Sequence, residues 1–225
     1  MKRINFIFLL FITITFRAQT TSETDEKQLQ QAYKEICAVS KIYLFGYDFT
    51  RFKLIDISRA GKDEKMKIVI SEIIQKMNKR NLEKDFEKWF NKDTVILTEE
   101  PVNKMNETII SSKTIGTEFE YNPNKIPYDS LSSMINRYQT GEMHGIGFVQ
   151  IVECFFKEKK EVSVWYVFFD IKSKKIIDSI KFKSDEAGGG INNLTEYWTK
   201  GLQASLEFYV KDYYPDIKKA CKKKN

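Results

Sequence analysis

The chain has 225 residues, with 37 Lys and Arg against 31 Asp and Glu, and its excess of basic residues lies at the two ends. Residues 1–18 hold three basic residues and residues 217–225 hold five lysines, with no acid in either segment. Removing these eight leaves 29 basic against 31 acidic residues. The body of the chain therefore lacks the clustered basic residues that nucleic-acid binding requires, and we expect no nucleic-acid partner.

A secretory signal peptide is predicted over residues 1–18. A basic start precedes the largely apolar run Ile4–Phe16, and the small residue Ala18 follows it, which is the three-part pattern that export machinery reads. The alternative is a buried N-terminal helix. The run is shorter than the roughly 20 residues that cross a bilayer, so we expect no transmembrane segment in the mature chain. Because Phe16 stands where a small residue usually precedes the cut, the cleavage site stays open by a few residues.

The length that remains after residue 18 suits one buried core and is short for two ordinary domains. We expect one domain over residues 19–216 and a Lys-rich C-terminal tail over residues 217–225. Apolar spacing predicts alternating helices and strands through the first half of this domain. In chain order these are a helix over 29–37, a strand over 42–47, an extended piece over 52–57, helices over 66–77 and 82–90, and a strand over 94–97.

The middle of the chain has weaker patterns. Residues 99–106 are expected to be irregular because Pro101 interrupts them. Strict alternation of apolar and polar residues over 115–122 predicts an edge strand with one solvated face. A short helix is predicted over 127–138, with Gly141 just beyond its end.

Three apolar runs, Phe148–Phe156, Val162–Ile171 and Lys175–Phe182, predict a C-terminal three-strand meander. Its middle strand is apolar on both faces, so it needs cover on each side. A final helix is predicted from Asn193 to a point before Pro215. The fold class that follows is α/β, with α+β as the alternative: a single domain with a mixed sheet and helices on both faces.

The three cysteines are Cys37, Cys154 and Cys221. An oxidising compartment would permit one disulfide and leave one thiol. Cys154 lies within an apolar strand pattern and is expected to be a small buried hydrophobic residue. Cys37 and Cys221 would pair if the two ends of the domain lie together, which the sequence leaves open.

One candidate ligand-binding segment is the loop containing Gly188, Gly189 and Gly190, between a predicted strand and the last helix. Backbone amides at that position can hold an anion, with Asn192 contributing at the helix start. The spacing matches neither the dinucleotide fingerprint nor the P-loop, so a flexible connector is the alternative.

The carboxylates Asp48, Glu153 and Asp170 lie within apolar strands, and Asp48 and Asp170 are the other candidate ligand-binding residues. A hydrolase with paired carboxylates needs two of them within about 10 Å. Strand-end aspartates more often cap turns, and Glu153 is expected to face solvent at a sheet edge. The single histidine, His144, is expected to be a solvated loop residue. No catalytic set, metal site or cofactor site is predicted.

Two short segments, Tyr47–Thr50 and Val164–Ile171, resemble segments of small exported proteins of unknown function from Gram-negative bacteria. The resemblance covers most of residues 40–210. The order of elements also resembles the α/β domain of outer-membrane lipoproteins that activate penicillin-binding proteins or form the curli secretion channel. This chain has no cysteine after its apolar run to carry their lipid anchor.

These observations favour a non-enzymatic, exported cell-envelope binding or assembly protein, periplasmic or extracellular, whose partner is an envelope protein or a small ligand. The alternative is a small hydrolase acting on envelope polymers, with Glu153 or Asp170 assisted by His144. A third hypothesis is a surface protein whose Lys-rich tail docks on anionic lipid.

Overall fold

The computed structural model describes residues 23–55, 63–78, 82–109, 115–116, 128–184 and 194–222. The predicted signal peptide and the Gly188–Asn192 loop lie outside these residues. The helices of the described part are α1 (Glu23–Ala38), α2 (Asp63–Asn78), α3 (Leu82–Phe90), α4 (Glu100–Asn106), α5 (Tyr128–Asn136), α6 (Leu194–Phe208) and α7 (Tyr214–Lys222). The strands are β1 (Lys41–Asp48), β2 (Lys53–Ile55), β3 (Thr94–Leu97), β4 (Ile115–Gly116), β5 (Ile146–Phe156), β6 (Glu161–Asp170) and β7 (Ile176–Ser184).

All seven strands form one mixed sheet. β1 lies parallel to β3 on one side and to β5 on the other, and β2 lies parallel to β4 and β5 in the same way. β5, β6 and β7 then form an antiparallel meander. The predicted mixed sheet with a C-terminal meander is confirmed. Of the edge strand predicted over 115–122, the described residues include β4, which lies at an edge of the sheet.

β1 and β2 lie end to end along one side of β5, like a single strand that has been interrupted. The chain takes five steps from Asp48 to Lys53, while β5 takes three steps from Ile151 to Cys154. Residues 49–52 therefore loop out of the ladder. The outer row of the sheet is broken at the same place, since β3 pairs with β1 and β4 pairs with β2.

Successive residues of β6 face two different cores, as alternation along a strand requires. Val164, Tyr166 and Phe168 belong to the larger core, which includes residues of α1, α2, α3, α6 and α7. Val167 and Phe169 belong to the smaller core, which includes residues of α4 and α5. The sheet thus carries helices on both faces, as predicted, and this explains why the meander's middle strand is apolar on both faces.

Proline positions account for two wrong predictions. Residues 100–106 form a helix, with Pro101 in its first turn. The last helix does not stop before Pro215: α6 passes through a π-helical turn, Tyr209–Tyr213, into α7, and Pro215 is the second residue of α7. Pro101 costs little in the first turn of α4, because the N–H that it lacks has no partner there in any case. Pro215 lies just after the π-helical turn, where the regular α-helical hydrogen-bond pattern is already interrupted.

The Lys-rich segment predicted as a tail from residue 217 begins inside the fold. Ile217 is fully buried in the larger core, and the helix α7 continues to Lys222. Residues 223–225 lie outside the described part of the chain. The C-terminal boundary of the folded domain is therefore at least six residues later than predicted.

Cys37 of α1 and Cys221 of α7 form a disulfide across 184 residues of sequence, with their Cα atoms 5.3 Å apart. The two ends of the described domain therefore lie together, which answers the question that the sequence left open. Cys154 is outside the disulfide and is buried, as predicted. Among the described residues, no helix is both long and apolar enough to span a bilayer.

Candidate functional site

Asp48 ends β1 at the strand interruption, and its carboxylate is fully buried. Its Oδ1 accepts hydrogen bonds from the backbone N–H of Thr50 at 2.7 Å and from the Thr50 hydroxyl at 2.6 Å. Its Oδ2 accepts one from the hydroxyl of Tyr138, at 2.6 Å. Asp48 therefore starts the turn that leads the chain out of the sheet, in the manner of an Asx turn.

Burial is the largest influence on the Asp48 carboxyl and raises its pKa above the usual value. The hydrogen bonds from Thr50 and Tyr138 act in the opposite direction, because they favour the charged form. Burial also raises the pKa of Tyr138 well above its usual value, and the nearby Asp48 adds to this effect. Tyr138 therefore remains a hydrogen-bond donor to Asp48 throughout the neutral range.

The side-chain amide of Asn106 binds the same interruption from the sheet edge. Its Oδ1 accepts from the backbone N–H of Phe49 at 2.8 Å, and its Nδ2 donates to the carbonyl of Tyr47 at 2.8 Å. These two backbone groups would otherwise bond to a neighbouring strand, but β3 ends at Leu97 and β4 begins at Ile115. The Asn106 amide thus takes the place of a strand residue.

The segment that enters α4 approaches β1 closely, and Gly46 makes that approach possible. Gly46 has a φ of +80° and lies at an irregularity in the β1–β5 register. A Cβ atom built there would come within 3.0 Å of the Glu99 carboxylate. A side chain at this position would therefore be strained by its φ and would displace Glu99, which immediately precedes α4.

A cleft of about 560 Å³ opens beside Asn106, between α2 and α4. Its volume falls within the usual range for small-ligand sites. Three isoleucines supply the apolar part of its lining, and amide, hydroxyl and carboxylate side chains supply the rest. The described lining residues are Ile70, Ser71, Ile74, Gln75, Asn103, Asn106, Glu107 and Ile109.

Glu153 is not at a solvated edge, so that prediction is wrong. Its side chain is 3% exposed, accepts a hydrogen bond from Ser163 at 2.7 Å and pairs with Lys181 at 2.8 Å. The physical reason is its position in β5, which has β1 and β2 on one side and β6 on the other. At Glu153 the β5–β6 register shifts, a local irregularity that the sequence pattern does not reveal.

The structure brings Asp48 and Glu153 onto neighbouring strands but leaves Asp170 apart. Asp48 pairs in register with Ile151, two positions before Glu153. Asp170 pairs with Ile146, at the other end of β5. At about 3.3 Å per strand residue, the registers of Asp170 and Glu153 are separated by about 23 Å along the strand. Asp170 is therefore too distant to act with either of the other carboxylates.

Asp170 caps the turn between β6 and β7, as strand-end aspartates commonly do. Its Oδ1 accepts from the Ser173 hydroxyl at 2.6 Å and from the Ser173 N–H at 2.7 Å. The Ser173 hydroxyl is the largest influence on the Asp170 carboxyl and lowers its pKa. His144 is exposed, as expected, and it lies just before β5, at the end of that strand distant from Glu153.

Sequence reasoning found Asp48 but missed Asn106 and the cleft. The sequence places Tyr138 only at the end of the helix predicted over 127–138, and it places Asn106 in a segment predicted to be irregular. Among the described residues, no group of three or more His, Cys, Asp or Glu side chains is arranged to hold a metal ion. No protein-family model matches the chain, and no curated protein is significantly similar to it in sequence.

We expect Asn106→Ala to lower the free energy of unfolding by about 1–3 kcal/mol, because it leaves the carbonyl of Tyr47 and the N–H of Phe49 without their side-chain partner. Urea unfolding followed by circular dichroism measures this. The matched control is Asn103→Ala on the same helix, since Asn103 lines the same cleft but does not bond to β1. Equal losses in the two variants would show that the Asn106 amide does not hold the interruption.

Proposed function

We propose that this chain is an exported, non-enzymatic binding or assembly protein of the cell envelope, and that the cleft between α2 and α4 is its binding site. The observation that carries the proposal is the cleft itself. It has the volume of a ligand site and lies beside the strand interruption, where the carboxyl end of the parallel strand β1 meets a break in the outer row of the sheet. Ligands in open α/β sheets commonly bind beyond the carboxyl ends of strands.

The lining of the cleft indicates the class of ligand. Ile70, Ile74 and Ile109 favour aliphatic groups, and the amides of Gln75 and Asn103 can bond to peptide or other neutral polar groups. Among the described lining residues there is one charged side chain and no cation, so a phosphate or an anionic polymer would find no counter-charge there. The expected occupant is an uncharged, largely aliphatic ligand, either a segment of an envelope protein or a small molecule.

Two features support export. The first is the basic and apolar pattern of residues 1–18, which is typical of a secretory signal. The second is the disulfide between Cys37 and Cys221, since disulfides persist mainly in oxidising compartments. The resemblance to small exported proteins of Gram-negative bacteria agrees with both.

Export and the disulfide can be tested on one sample, the protein recovered from the envelope of cells that express the full chain. We expect its mass to correspond to a chain that begins at or near Gln19. After unfolding, it should take up one alkyl group without reduction, on Cys154, and three after reduction. A full-length mass, or three alkyl groups before reduction, would contradict the proposal.

The cleft can be tested by site-specific photocrosslinking in intact cells. A photoreactive residue at Gln75, which lines the cleft, is expected to crosslink one envelope component reproducibly. The matched control is Lys76, which is exposed on the same helix but does not line the cleft. Adding Ser71→Trp, which fills the cleft, should remove the crosslink. The same products at Gln75 and Lys76, or none at Gln75, would count against the cleft.

The hydrolase alternative is favoured by one observation, the position of Asp48 and Glu153 on neighbouring strands in different surroundings. Burial raises the pKa of Asp48, whereas Glu153 has the ammonium group of Lys181 as a partner. Two carboxyl groups in unlike surroundings are the usual arrangement of a general acid and its partner.

If the hydrolase alternative is correct, Asp48→Asn and Glu153→Gln each abolish the release of soluble fragments from a purified envelope polymer. Asp170→Asn is the control, because Asp170 lies at the far end of β5, and it should keep activity. Circular dichroism establishes that the variants are folded. No fragment release by the unaltered protein, or equal release by a folded Asp48→Asn variant, would remove this alternative.

A further inference from the structure

A second buried carboxylate, Asp178, lies on β7 far from the strand interruption. Asp178 is 8% exposed. Both of its carboxylate oxygens lie 3.0 Å from the hydroxyl of Tyr213, which donates to them. Tyr213 is the last residue of the π-helical turn that joins α6 to α7. One hydroxyl therefore connects an outer strand of the sheet to the irregular turn from which the last helix begins.

The titratable groups around Asp178 come from several elements. Tyr33 of α1 shares a hydrogen bond with Tyr213 and packs against its ring edge-to-face, with centroids 6.4 Å apart. Burial raises the pKa of Tyr209 in the π-helical turn well above its usual value, and the nearby Asp178 adds to this effect. Asp216 of α7 is a further negative charge, and it adds to the rise that burial causes in the pKa of Tyr33. On β7 itself, Lys181 is paired with Glu153. Among the described residues, the groups that act directly on the Asp178 carboxyl are the Tyr213 hydroxyl and the Ser179 N–H.

We propose that Asp178 is a pH-sensitive contact. Its protonation stabilises the packing of the π-helical turn and α7 against β7 and α1 as the pH falls from neutral to mildly acidic. At neutral pH the ionised carboxylate is buried with a tyrosine hydroxyl as its main side-chain partner, and burying a charge without a cation is unfavourable. A proton removes the charge and leaves the hydrogen bond to Tyr213 available. The π-helical turn is a fitting place for such a control, since π-helical turns often occur at functional sites.

The direction of the effect follows from the proton affinity of the folded state. Burial, the largest influence, raises the pKa of Asp178 from 3.8 to about 6, while the Tyr213 hydroxyl and the Ser179 N–H act in the opposite direction. The folded protein therefore binds this proton more tightly than the unfolded chain does. The contribution of this proton to the free energy of unfolding is complete below the unfolded pKa, about 4. It is lost as the pH rises from about 4 to 6. The folding equilibrium should change on the order of a hundred-fold across this interval.

The full chain, with its disulfide intact, provides the test. We expect the Asp178 carboxyl carbon to titrate with a midpoint near pH 6 in NMR. We also expect the amides of residues 209–217 to gain hydrogen-exchange protection between pH 7 and pH 5, after correction for intrinsic exchange rates. In Asp178→Asn the gain should disappear, and the variant should melt at a higher temperature than the unaltered protein at pH 7.5 but not at pH 4. The control, Asp216→Asn, removes an exposed carboxylate of α7 and should keep the gain.

The variant Tyr213→Phe distinguishes a pH-sensitive contact at Asp178 from a merely structural one. Removing the hydroxyl removes a bond that favours the charged form, so the Asp178 midpoint should move above that of the unaltered protein. This experiment tests the proposal even if Asp178→Asn fails to fold, because it measures the titration of the native Asp178 carboxyl in the Tyr213→Phe variant. An Asp178 midpoint near 4 in the unaltered protein, an unmoved midpoint in Tyr213→Phe, or a gain in protection that persists in Asp178→Asn would each overturn the proposal.

Discussion

Two hydrogen bonds join one side-chain amide to an interrupted strand, and the region around the candidate site is organised by them. Asn106 bonds to Tyr47 and Phe49 where the strand leaves the sheet. Because those two backbone groups are satisfied, the chain can loop out after Asp48 and still rejoin β5 as β2. The same bonds fix α4 at the sheet edge, so that α2 and α4 stand apart and enclose a cleft. The strand interruption, with the buried Asp48 at its start, and one wall of the cleft therefore meet at this local replacement of a strand by a side chain.

Much of the fold could be predicted because its signals are local. Three long apolar runs predict the meander, and a regular helical spacing of apolar residues predicts α2. The errors at Pro101 and Pro215 share one cause. A proline within a segment predicts that a helix ends or is disrupted there, yet in both places it is the second residue of a helix. The residue type alone does not say whether a helix ends before a proline or begins with it.

The candidate site was less predictable, because its bonds join distant parts of the chain. Asn106 contacts backbone groups 57 and 59 residues away, and nothing in its own neighbourhood indicates such a partner. The sequence pattern places Glu153 at an edge, because it does not reveal that β5 is an interior strand, with β1 and β2 on one side and β6 on the other. Asp48 was identified because a carboxylate at the end of an apolar strand is unusual in itself. Sequence reasoning thus located a residue that departs from its local pattern, and missed residues whose role arises only from packing.

The disulfide between α1 and α7 has a mechanical consequence. Cys37 lies near the start of the described domain and Cys221 near its end, with the sheet and most of the helices between them. Force applied to the two ends of the domain is therefore carried by a covalent bond, and the strands between them bear almost no load. The hydrogen-bonded sheet cannot be unravelled by stretching while the cystine is intact. Such a domain keeps its shape under tension until its disulfide is reduced.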